Sequence, residues 1–214
     1  MATTISNTSV NFNNSTQQST AYLGINGVIF TSNGTFTAPT GIKRMKITAI
    51  GGGGGASGAN TVNPSYSTGG GGGGTSIKWF TTSAEGAVLT ITVGQGGNGS
   101  TSATGPGQSG TPSIVTYLVA QYAYGGPGGG GAYGSGATPG QGGTSFQGDI
   151  NISGTPGSNG GSSAAGGGSF LAPSLNPSSV AVDGFLYGGG APRRTGTSSG
   201  NGGAGANGIV IIEY

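Results

Sequence analysis

Nine glycine-rich runs break this chain into short pieces: 51–55, 69–74, 94–99, 125–131, 140–143, 157–161, 166–168, 188–190 and 200–205. Glycine is 53 of 214 residues, against a usual share of roughly 7%, and that excess limits what the chain can become. A collagen-like triple helix needs glycine at every third position and abundant proline. That period is absent, and proline numbers only 10. A flexible linker is the other default for such a composition. Alternating apolar segments near both ends and in the middle argue against it, because they make sense only against a packed core.

A third outcome fits the runs better. An extended helix of three residues per turn rises about 3.1 Å per residue and has no internal hydrogen bonds. Side by side, such helices can bond N–H to C=O between neighbours, and only glycine lets the backbones approach that closely. The runs are expected to form a bundle of polyglycine-II helices, with the pieces between them as turns. Floppy linkers are the alternative. Ordering so many glycines costs about 1–2 kcal/mol per residue, so such a bundle must be cooperative and held on another unit.

Strand signals supply that unit. Val28–Phe30 and Thr35–Phe36–Thr37, joined by Asn33–Gly34, read as a hairpin. In Ile42–Ile50, Met45, Ile47 and Ala49 share one face while Arg44, Lys46 and Thr48 share the other. Ile77–Phe80 is a further strand, and in Val88–Val93 the residues Leu89, Ile91 and Val93 point inward. Ile114–Val119 and Gln121–Tyr124 are weaker candidates. Ile209–Ile212 is apolar on both faces, which suggests a central strand with Ile211 in the core. Helix formers are rare, and glycine costs about 1 kcal/mol per helical position. The expected fold is all-β: an antiparallel β-sandwich with an attached polyglycine-II bundle and essentially no α-helix, spanning 26–214. Residues 1–25 read as a polar arm or fibre-attachment segment.

Much chemistry is excluded. There is no His and no Cys, which removes the usual general base, the thiol nucleophile and most transition-metal sites. The four acids, Glu85, Asp149, Asp183 and Glu213, are far apart in sequence. A glycosidase needs two carboxyls about 5–10 Å apart, and turn chemistry beside glycine is the simpler reading of Asp149 and Asp183. G-x-G-x-x-G matches carry no information at this glycine content without a strand–helix context. No catalytic residue, cofactor or metal site is expected, and the chain reads as a non-enzyme. Six cations against four anions provide no basic stripe for nucleic acid. No stretch approaches the roughly 20 apolar residues of a membrane span. Residues 1–18 lack the apolar centre of a secretory signal. A virion part released by lysis, or a cleaved precursor, accounts for an outward-looking protein without one.

Three segments carry a resemblance. Gly34–Gly41, Ile42–Ile50 and the five glycines that follow are similar to the opening of the glycine-rich domain of phage tail-fibre proteins. Ala87–Gly97 resembles its central strand, and Gly202–Tyr214 its closing strand. Asn11–Ala21 resembles short elements that precede distal domains in tail fibres, with Asn13–Asn14 where Asp-Gly is usual. The resemblance implies a β-sandwich, for which a jelly-roll or tumour-necrosis-factor-like topology is one form, beside a glycine-helix bundle. It implies loops that bind bacterial surface proteins or glycans.

The expected function is that of a tail-fibre tip in the virion. It binds a host surface receptor, glycan or membrane protein, by rigid loop presentation, with another fibre protein or its own homotrimer as partner. The alternatives are a purely structural fibre subunit and an ice-binding protein; the latter needs a flat face of regularly spaced Thr, which is not evident. Aromatic residues among small polar neighbours suit binding loops. Tyr66 and Tyr133 fit this description, though capping the bundle would suit them equally. Phe146, Phe170 and Phe185 read rather as caps or edge fillers. Arg193 and Arg194 form the only basic loop and could meet anionic sugars or phosphates; a solvated pair is the plain alternative. Segments 60–67, 132–139 and 191–198 are the expected contacts.

Overall fold

The computed structural model describes residues 26–42, 44–60, 62, 66–81, 86–118, 120–159, 164–194 and 199–214, together with the backbone of three short strands before them. Those three are β1 (Thr4–Ile5), β2 (Val10–Asn11) and β3 (Gln17–Gln18), an antiparallel set in the order β1-β2-β3. The rest of the arm, which includes most of the Asn11–Ala21 element, lies outside the described residues. Nine longer strands follow: β4 (Gly27–Phe30), β5 (Gly34–Thr37), β6 (Arg44–Ile50), β7 (Thr75–Thr81), β8 (Val88–Thr92), β9 (Ser113–Tyr117), β10 (Ala120–Gly125), β11 (Ile150–Ile152) and β12 (Ile209–Glu213). Among the described residues there is no α-helix.

Two antiparallel sheets form the sandwich, one ordered β10-β9-β8-β5 and the other β11-β7-β6-β12-β4. The period-two pattern explains the packing. Met45, Ile47 and Ala49 of β6 lie beside Val210 and Ile212 of β12 and Phe80 of β7. They meet Phe36, Leu89, Ile91, Val115 and Ala123 from the other sheet. Ile47, Leu89, Val115, Val210 and Ile212 have no exposed surface, and burying each such side chain contributes about 1.5–3 kcal/mol. Phe80 meets Tyr117 and Tyr122 nearly edge-on, with ring centroids 5.3 and 4.9 Å away.

Two expectations are corrected. Val28–Phe30 and Thr35–Thr37 do not form a hairpin: β4 pairs with β12, whereas β5 pairs with β8 in the opposite sheet. The Asn33–Gly34 link crosses between layers, and the Asn33 side-chain oxygen accepts the Val93 N–H at 2.8 Å, holding the crossing to the end of β8. Second, β12 is central, between β6 and β4, yet its core face is Val210 and Ile212. Ile211 is half-buried on the outer face, because alternation allows only every second residue inward. Strand β11 alternates over only three residues, too short a signal to read from sequence; it pairs with β7 through Ile150, Asn151 and Ile152.

The glycine runs continue straight out of the strands. Ile50, Thr75 and Ile209 are level in one sheet, and Thr92, Ile114, Ser113 and Gly125 sit together in the other. All of these ends lead into runs on the same side of the sandwich. The run 51–59 donates in strict rotation. Gly51, Gly54 and Ser57 bond the carbonyls of Gly74, Gly71 and Thr68. Gly52, Gly55 and Gly58 bond Thr111, Gln108 and Gly105. Gly53, Ala56 and Ala59 bond Ala206, Gly203 and Gly200. Its own carbonyls accept from Gly97, Ser100, Gly128, Gly131 and Ala191. One run thus has six neighbours, and a period of three without internal bonds is what an extended three-residue helix requires.

The run 67–74 has six neighbours too. It donates to 155–158, 188–191 and 126–129, and accepts from 51–57, 140–143 and Gly167. Contact this close explains the composition. A Cβ on Gly54 would overlap the Gly129 carbonyl, and one on Gly71 the Gln141 carbonyl. The described parts of these runs therefore form one hydrogen-bonded array, in which every amide from Gly51 to Ala59 donates to another run.

Candidate functional site

Because the runs leave the sandwich in one direction, the turns between them gather at the far end of the array. There Ala59 pairs with Gly200, Ser67 with Tyr133, and Thr68 with Asn159. The chain enters at the other end: the Asn26 and Tyr214 backbones exchange two hydrogen bonds of 2.9 and 2.8 Å, at the edge of the sandwich away from the glycines.

Tyr66 and Tyr133, separated by 67 positions of sequence, come together at the far end. Their ring centroids are 6.1 Å apart at 78°. The Gly134 N–H donates to the Tyr66 carbonyl at 3.0 Å, and the Thr68 hydroxyl to the Ala132 carbonyl at 2.9 Å. Both tyrosines are half-buried, so each presents part of its ring.

The two arginines part company. Arg194 is half-buried; its Nε donates to the Ser179 carbonyl at 3.2 Å, and its guanidinium occupies the space a side chain on Gly200 would need. Arg193 is 3% exposed. Its backbone N–H reaches the Ala164 carbonyl at 2.9 Å, but its Nε and Nη1 have no hydrogen-bond partner. Burial holds its pKa below the ordinary guanidinium value. The expected basic loop therefore places one cation at the surface and encloses the other. Segment positions 61, 63–65 and 195–198 lie outside the described residues.

The described acids do not converge. Asp149 holds the Lys78 ammonium at 2.7 Å and the Trp79 N–H at 2.8 Å; the hydrogen bond from Lys78, then that from Trp79, lowers its pKa. Asp149 sits in the bend that leads into β11, as the turn reading expects, and the ion pair is an additional role. Asp183 accepts the Ala204 N–H at 2.8 Å, and Glu213 pairs with Lys46 at 2.7 Å. Among the described residues no three metal-ligating side chains cluster.

Three features escaped the sequence. Phe146 stacks on Tyr124 at 4.0 Å, a pairing that 22 positions of separation conceal. Phe170, Leu171, Val180, Phe185 and Leu186 are all exposed along one connecting segment; their spread among Ser, Pro and Gly hid them as a set. At the sandwich end, Arg44, Met45, Lys46, Trp79, Phe80 and Thr81 line a shallow pocket of about 300 Å³. The cations of β6 were evident, but the register that sets Trp79 opposite Lys46 was not.

Residues 31–190 match the family model described as a glycine-rich domain. That is well over half the chain, and the protein belongs to this family. No curated protein matches it.

Proposed function

We propose that this member of the glycine-rich domain family is a tail-fibre tip of a bacteriophage virion that binds a host surface receptor, a glycan or membrane protein, without catalysing a reaction. The observation that carries this reading is the polarity of the molecule. The chain enters beside Tyr214, and the turns with Tyr66, Tyr133 and Arg194 lie across the sandwich and the whole glycine array from it. Loops on a rigid scaffold are where binding is usually carried. Here the scaffold is backbone bonded to backbone, so the turns are presented without adaptable side chains beneath them. Tyrosine offers a stacking face for sugars, and the Arg194 guanidinium a donor for anionic groups. A homotrimer, or docking on another fibre protein, would supply avidity.

The test is binding of the purified protein to bacterial cells, with and without removal of surface glycans. The triple variant Tyr66→Ala/Tyr133→Ala/Arg194→Ala should bind at least about tenfold more weakly, equivalent to roughly 1.4 kcal/mol, while remaining folded. Undiminished binding removes this end from the proposal. A second reading, a fibre subunit without a receptor, draws on the exposed apolar segment 170–186. Self-association with no cell binding would favour it.

A further inference from the structure

Arg193 poses an electrostatic problem that the described residues do not solve. A guanidinium this enclosed is costly unless paired, and two of its donor nitrogens are without acceptors. The possible counter-charges can be traced individually. Asp149 is engaged with Lys78, Glu213 with Lys46, and Asp183 with the Ala204 amide. Glu85 lies outside the described residues. The neighbouring segments 160–163 and 195–198 read Gly-Gly-Ser-Ser and Thr-Gly-Thr-Ser, with no acid. Among the described residues, then, no carboxylate is brought to this end of the array.

A second unsatisfied group lies one residue from the level of Arg193. Gly73 bonds Gly188 and Gly70 bonds Ala191, so the antiparallel register of these two runs continues to Ser67 opposite Arg194, one residue from Arg193. The Ser67 hydroxyl is fully buried and has no partner. Two cationic N–H groups and a hydroxyl, all buried and without partners, are the kinds of donor that an oxyanion site uses.

We infer that Arg193, with Ser67 beside it, holds an oxyanion supplied from outside the chain, of the carboxylate or phosphate and sulfate class, as the counter-charge that completes the far end of the glycine array. The inference is independent of receptor binding: the ion could come from solution or from an acidic group on a larger ligand, and the donor chemistry is the same. Binding confined to the folded state stabilises that state in proportion to ligand occupancy.

The experiment uses the full chain, dialysed into chloride buffer. Thermal unfolding is followed while sodium phosphate, sulfate or acetate replaces chloride at constant ionic strength. Ion chromatography of the denatured protein detects any oxyanion retained through dialysis. The expected result is either a saturable rise in Tm of at least about 3 °C for one of these ions, or about one equivalent of retained oxyanion. Arg193→Met should abolish it, and Arg194→Met should leave it in place. Phosphate or sulfate acting alone would indicate a tetrahedral ion; acetate acting as well would indicate a carboxylate site. The inference is overturned if the wild-type protein shows neither effect, which would leave buried water as the partner of Arg193. It is equally overturned if Arg193→Met responds as the wild type does. Should Arg193→Met fail to fold, the wild-type titration and its retained ion still decide the question.

Discussion

The rings of Tyr66 and Tyr133 meet nearly at right angles, 6.1 Å between centroids, although one follows the turn after the first glycine run and the other follows the run that begins at Gly125. Pairs of this geometry contribute about 0.5–1.5 kcal/mol beyond their buried area. A double-mutant cycle of Tyr66→Ala and Tyr133→Ala should return a coupling in that range by denaturant unfolding. A coupling of zero would mean that the two turns are placed independently of one another.

Gly54→Ala should be among the most damaging small substitutions in the molecule, because the new methyl would overlap the Gly129 carbonyl and no flexible side chain is there to yield. A loss above about 4 kcal/mol, or failure to fold, is expected. Gly27→Ala is the control: its nearest contact is the Ile212 carbonyl at 3.7 Å, and its stability should stay within about 0.5 kcal/mol of the parent.

Amide exchange separates an ordered array from linkers. Every amide from Gly51 to Ala59 donates to another run. These nine should therefore exchange only through large-scale opening, at rates close to those of β6 amides. Exchange at free-coil rates across the run would contradict the array.

Within β12, Val210→Asp should unfold the protein at ordinary temperature, because it places an unpaired charge in the core. Ile211→Asp, one position along and half-exposed, should cost markedly less. Thermal melts of the two variants compare them directly.

The Lys78–Asp149 pair has a defined pH signature. The folded-state pKa of Asp149 is lowered by the Lys78 and Trp79 hydrogen bonds. Its contribution is therefore fully present above the ordinary aspartate value of about 3.9 and disappears as the pH falls through the lower folded value. Asp149→Asn should be less stable than the parent at neutral pH and converge with it in acid. The group is exposed, so the gap in Tm is small.

The strands were legible wherever apolar residues alternated. Met45, Ile47 and Ala49, or Leu89, Ile91 and Val93, needed no further information to be placed inward. What alternation cannot encode is the partner: Phe30 and Phe36 read alike on either side of Asn33–Gly34, and only the packed sheets decide that they belong to different layers. In the glycine runs the density of glycine implied close backbone approach, but glycine carries no label that matches one run to another. For the same reason the far-end turns could be named from sequence while the separate fates of Arg193 and Arg194 could not. Adjacent residues on a three-residue helix point about 120° apart, and what each then meets depends on runs remote in the chain.

That missing label bears on how the molecule assembles. Gly53 bonds Ala206, Gly54 bonds Gly71, and Gly52 bonds Thr111; a single stretch waits on partners made over most of the length of the chain. Loop closure must precede nearly all of these bonds, and glycine adds no local preference to shorten the search. Folding of the array should therefore be slow and come late, with the sandwich strands acting as the template that brings identical-looking runs into the right order. During synthesis, Gly53 leaves the ribosome long before Ala206 exists. The early runs must spend that interval solvated, and their lack of large apolar side chains is what keeps the wait from becoming aggregation.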